Sequence, residues 1–76
     1  MKAVEAVSKR VKEIMEKTGA TVKEVSKKAG LAETTVYKVL KATNKTIRIT
    51  TVWRLCKGLE VGFLEFLTSP YFEESL

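Results

Sequence analysis

"VKEVSKKAGLAETTVYKVLK", residues 22–41, decides how this chain is read. Two short amphipathic runs flank one glycine. In the first, Val22, Val25 and Ala29 recur at three- and four-residue steps, the spacing of one helical face. In the second, Val36, Val39 and Leu40 do the same. Thr21 precedes the first run and Glu24 lies three residues later, the pattern of a capping box in which each side chain satisfies the other residue's amide. Gly30 ends the run, where a positive φ is wanted and a β-carbon costs energy. Leu31 restarts the apolar pattern, and Ala32 or Thr34 is placed to cap the second helix of the pair. Ser26 is small and stands where the two helices are expected to come closest. Two helices crossing steeply through so tight a turn form a helix-turn-helix.

The chain on either side is helical too. Val4, Val7, Val11, Ile14 and Met15 predict a helix over residues 3–18, with Gly19 just past its end as a left-handed cap. Ala42 to Thr50 has no helical period and reads as a loop or short extended segment. Thr50 or Thr51 is expected to open a fourth helix, with Val52, Leu55, Cys56 and Leu59 inward and Gly58 inside it or at its end. "VGFLEFL", residues 61–67, predicts a short fifth helix with Leu64 and Leu67 in the core, and Pro70 stops it. No segment reads as a strand pair. The expectation is an all-α, compact five-helix domain over residues 1–76, with a tail at 68–76.

Composition narrows the function. A chain of 76 residues points to one domain, and one this short buries only about 60% of its unfolded surface, leaving little room for a catalytic cleft. Apolar residues make up 45% and charged residues 30%, too apolar for a disordered chain. The single Cys56 precludes an intramolecular disulfide, and the absence of histidine removes the usual zinc spacings. No metal, cofactor or small-molecule ligand is implied. No apolar run approaches about 18 residues, so no membrane span is expected; only two residues precede a charge-rich amphipathic pattern, so no signal peptide is expected, and the composition suits the cytoplasm. The charge is uneven. Residues 23–57 carry nine bases against Glu24 and Glu33, a local +7, whereas residues 58–76 carry four acids and no base. A basic middle suits a polyanion, and an acidic end suits some other surface.

The order of helices, with the motif second and third and "TTVWRLCKGLEVGFLEFL" after it, resembles the Cro/phage-repressor (XRE) family of helix-turn-helix domains. Thr51, Val52, Leu55, Cys56, Leu59, Val61, Leu64 and Phe66 match the family's fourth-helix pattern, and the resemblance covers roughly residues 6–68. It implies sequence-specific binding of double-stranded DNA by a transcriptional regulator, usually a repressor and often a dimer. This chain departs from the family in three places. Val22 stands where many members carry Gln, Ser26 where many carry Ala, and Leu40 with the glycine-free "KATNK" where many carry Glu and a glycine turn.

In a helix-turn-helix the second helix lies in the major groove with its N-terminal residues at base edges. Glu33, Thr34, Tyr37 and Lys38 point away from the apolar stripe and are the candidate readers. Glu33 accepts from a cytosine amino group, Thr34 bonds a base or packs on a thymine methyl, and Lys38 reaches guanine. Tyr37 adds an apolar face and a hydroxyl. Phosphate contacts are expected from the amide end of helix two at Val22 with Lys23, from Thr35 at the flank, and from Lys41, Asn44, Lys45 and Arg48. Trp53 reads as semi-buried packing. A stacking platform for single strands is rejected, because no aromatics interleave with the bases.

Phe63, Phe66, Tyr71, Phe72 and Leu76 crowd an end that a small core cannot enclose. They predict a homodimer through helix five and the tail, with the tail folded back over its own core as the alternative. An enzyme is not expected. A protein-interaction module of the same fold, such as an antitoxin or adaptor, is the alternative to a DNA-binding regulator.

Overall fold

The computed structural model describes residues 2–74, and every regular element among them is helical. They are α1 Ala3–Thr18, α2 Val22–Ala29, α3 Glu33–Lys41, α4 Ile49–Leu59, α5 Phe63–Leu67 and α6 Pro70–Glu74. The local chemistry explains the first boundaries. Gly19 closes α1 in the left-handed region at φ 72°. At α2 the capping box forms: the Glu24 amide donates to Thr21 Oγ1 at 3.2 Å, and the Thr21 amide donates to Glu24 Oε1 at 3.1 Å. Gly30 ends α2 at φ 70°, and the Leu31 amide reaches back to the Ser26 carbonyl at 3.0 Å.

Later boundaries depart from expectation. Ala32 is the N-cap of α3 and supplies no side-chain bond. Helix α4 opens at Ile49, a residue before the expected threonines, with Arg48 at its N-cap. Pro70 does come after the end of α5, but it also opens a sixth helix, because its fixed φ and missing amide suit a first helical position. The tail therefore adds one element to the five expected.

The core gathers Val7, Val11 and Ile14 of α1, Val25 of α2, Val36 and Val39 of α3, Val52, Leu55, Cys56 and Leu59 of α4, and Phe66 of α5. Burial pushes the Cys56 thiol pKa up, which keeps it protonated and inert as a small hydrophobe. Ser26 is buried, and its hydroxyl donates to the Lys23 carbonyl at 3.0 Å. The approach that admits no side chain is elsewhere, at Gly58 between α4 and α2. A β-carbon on Gly58 would lie 2.6 Å from the Val25 carbonyl oxygen and 2.8 Å from Ala29 Cβ.

Three side-chain expectations are overturned. Leu64 is 80% exposed, whereas Phe66 is wholly buried. Phe66 takes the central inward place on α5, with Phe63 and the expected Leu67 half-buried beside it against the core. Phe66 is thus committed to its own core and cannot serve a partner. Trp53 is 68% exposed rather than semi-buried, since it falls off the Val52–Leu55–Cys56–Leu59 stripe. The tail lies on its own domain: the half-buried Phe72 ring sits 5.7 Å from Phe66, and Lys9 Nζ lies 5.8 Å from the Tyr71 ring centre. Leu76 lies outside the described residues.

Two polar latches hold the fold. Arg10 donates from Nε to the Phe66 carbonyl at 2.8 Å and from Nη2 to the Glu65 carbonyl at 2.7 Å, while Nη1 pairs with Glu13. It satisfies the Phe66 carbonyl at the end of α5 and adds a second donor to the Glu65 carbonyl, which the Thr68 amide already reaches at 3.2 Å. Ser8 Oγ donates to the Leu40 carbonyl at 2.8 Å and pins the end of α3 to α1.

Candidate nucleic-acid interface

Helix α3 is two-sided. Val36 and Val39 are buried, Leu40 is half-buried, and Ser8 holds the Leu40 carbonyl. The inner face is therefore fixed against α1 and the core. Glu33, Thr34, Tyr37, Lys38 and Lys41 are all exposed on the outer face. Tyr37 is 47% exposed, with its ring available beside Thr34 and Lys38. All four expected base readers thus share one solvent-facing surface.

The expected phosphate contacts divide. Lys41, Asn44 and Lys45 come together and line one groove of about 640 Å³. Lys23 and Arg48 are exposed at the starts of α2 and α4. Thr35 is half-buried, and its amide already donates to the Ala32 carbonyl at 3.0 Å. The Val22 side chain packs against the core, which leaves only its backbone amide for an anion. That helix start already holds an internal anion. The Glu24 carboxylate accepts from the Thr21 amide and, at 3.0 Å, from the Thr21 hydroxyl. The amide bond and then the hydroxyl bond lower the pKa of Glu24 below its ordinary value. A DNA phosphate at the start of α2 must therefore bind beside a carboxylate.

Two features of this surface escape the sequence reading. Lys2, at the far end of α1 in sequence, lines the same groove as Lys41 and Lys45. Ile49, Thr50, Trp53 and Phe63 line an apolar hollow of about 470 Å³, with Ile49 65% exposed. The second had a signal in the sequence. Ile49, Trp53 and Lys57 recur every four residues and form a stripe separate from the core-facing one.

No helix among the described residues is long and apolar enough to cross a membrane. No curated relative and no solved structure matches the chain. A family model of the Cro/C1-type HTH DNA-binding domain matches residues 10–70, from the middle of α1 to the first residue of α6, and so takes in the whole α2–α3 motif. The chain belongs to the Cro/C1-type HTH DNA-binding domains.

Proposed function

We propose that residues 1–76 act as one domain, a sequence-specific transcriptional regulator of repressor type, bacterial or phage in origin and working in the cytoplasm. Helix α3 enters the major groove. Glu33, Thr34, Tyr37 and Lys38 read base edges. Lys23, Thr35, Lys41, Asn44, Lys45, Arg48 and the Val22 amide hold phosphates. The observation that carries this reading is the exposed row on α3, polar and basic apart from the Tyr37 ring, on a helix whose other face is locked into the core. Selection of sites from random duplex DNA tests it. The expected result is one enriched sequence, bound with an affinity that falls steeply as salt rises, because neutralised phosphates release counterions. No enrichment and a flat salt response would instead favour the protein-interaction module.

A homodimer is part of the proposal, with the interface moved from the one expected. Phe66 is buried, and Phe72 packs against it. Phe63 remains partly exposed and joins Ile49, Thr50 and Trp53 around one apolar hollow. That surface offers both a hollow and protruding side chains, the self-complementary shape a two-fold contact needs. Arg54 and Lys57 stand exposed beside Trp53 at its edge. To read two half-sites, such a dimer must hold its recognition helices about 34 Å apart, one turn of B-DNA. Sedimentation at micromolar concentration checks this: dimer mass for the wild type and monomer mass for Trp53→Glu are expected.

A further inference from the structure

The groove that holds Lys41 and Lys45 does not end at α3. Its opposite wall is the start of α1, through Lys2, Val4 and Glu5. A second hollow of about 220 Å³ shares Glu5, Lys41 and Ala42 with it and continues along α1 past Lys9 and Lys12. Together they form one furrow beside the reading face. Its floor is rigid, because Ser8 Oγ donates to the Leu40 carbonyl at 2.8 Å where α1 and α3 meet. Five lysines border it: Lys2 at the N-cap of α1, Lys9 and Lys12 within α1, and Lys41 and Lys45 from the end of α3 and the loop after it.

The furrow is nearly unneutralised. Among the described residues the ion pairs are Arg10 with Glu13 and Lys28 with Glu60, and neither involves a furrow lysine. Glu5 is the one acid along the furrow, and its carboxylate accepts from the Lys2 amide at 3.1 Å. Lys9 lies over the Tyr71 ring, which leaves its charge in place. Five ammonium groups held around one concavity repel each other and raise the local potential by an amount that a chain of phosphates relieves.

We infer that this furrow is a second phosphate track, in which Lys2, Lys9 and Lys12 along α1 hold the DNA backbone next to the segment held by Lys41, Asn44 and Lys45. The proposal rests on the DNA-binding reading and enlarges its footprint from the α2–α3 motif onto α1. These contacts touch no base. They add affinity for any duplex and leave sequence preference to α3.

The test compares two double variants of equal charge change. Lys2→Gln with Lys12→Gln alters the furrow; Lys17→Gln with Lys27→Gln alters lysines outside it. Each is titrated with the selected duplex and with a scrambled duplex from about 50 to 300 mM salt, a range over which phosphate contacts dominate the change in affinity. The slope of log K against log salt is expected to fall by close to 2 for the furrow pair, since each phosphate contact contributes about 0.9. Affinity should drop by the same factor on both duplexes, and the outside pair should change the slope by less than half as much. Equal slopes for the two pairs would overturn the track while leaving α3 as the reader. A loss confined to the selected duplex would also overturn it, because α1 would then be reading sequence. If the wild type shows no salt-dependent binding to any duplex, the DNA-binding reading itself fails and the track falls with it. Unchanged melting temperatures in both pairs establish that the comparison concerns binding.

Discussion

In the α2–α3 pair no valine or leucine is exposed, and the outer face is mostly polar. In α4–α5 the inner stripe is just as well buried, yet Ile49, Trp53 and Leu64 stand in solvent. The two regions share one core but present different chemistry to the outside. A polar, lysine-bearing face suits a wet, charged partner such as DNA. An apolar hollow lined by Ile49, Trp53 and Phe63 on so small a protein suits another protein surface. The same domain thus carries two separable outer faces, and substitutions can address one without the other.

The largest expected effect contrasts two neighbours in α5. Phe66→Ala removes a wholly buried ring and is expected to destabilise the fold by about 3–5 kcal/mol in urea unfolding. Leu64→Ala, two residues away and 80% exposed, should stay within about 0.5 kcal/mol. A reversed order would mean that α5 presents its other side to the core.

Two glycines sharpen the contrast next. Gly58→Ala forces a β-carbon against the Val25 carbonyl oxygen, so α2 and α4 must separate, at a cost of about 1–3 kcal/mol. Gly30→Ala meets open space, and its cost, about 1 kcal/mol, comes from the backbone at φ 70° alone. Thermal melts should rank Gly58→Ala as the more damaging.

On the polar face the effect moves from stability to binding. Lys38→Ala should leave unfolding unchanged and cost about 1–3 kcal/mol of affinity for the preferred duplex, with relaxed choice at one base pair. A uniform loss over all sequences would reassign Lys38 to a phosphate.

The smallest effect lies at the start of α2. Thr21→Ala removes the cap and should cost about 1 kcal/mol at neutral pH. Part of that loss is the Glu24 interaction. Because the folded pKa of Glu24 is lowered, its contribution is present above the ordinary carboxylate range and is lost as pH falls through the folded value. The difference between wild type and Thr21→Ala should therefore shrink in acid. A constant difference would show that the hydroxyl acts without the carboxylate.

Local sequence is enough for the helices from residue 3 to residue 41, both glycine caps, the capping box and the exposed row of α3. Each depends on residues three or four apart, so periodicity and cap chemistry carry the answer within one turn. Packing, by contrast, settles which side of α5 faces inward. Five residues make little more than one turn, and either Leu64 or Phe66 can join Leu67 on the inward side until the packed helices supply the cavity. Packing also settles that the tail folds onto α1, that Gly58 is the point where two helices nearly touch, and that Lys2 stands opposite Lys41. Those outcomes join residues tens of positions apart. No local rule relates them, because they depend on how whole helices pack, and that packing is set by the summed shape of the core.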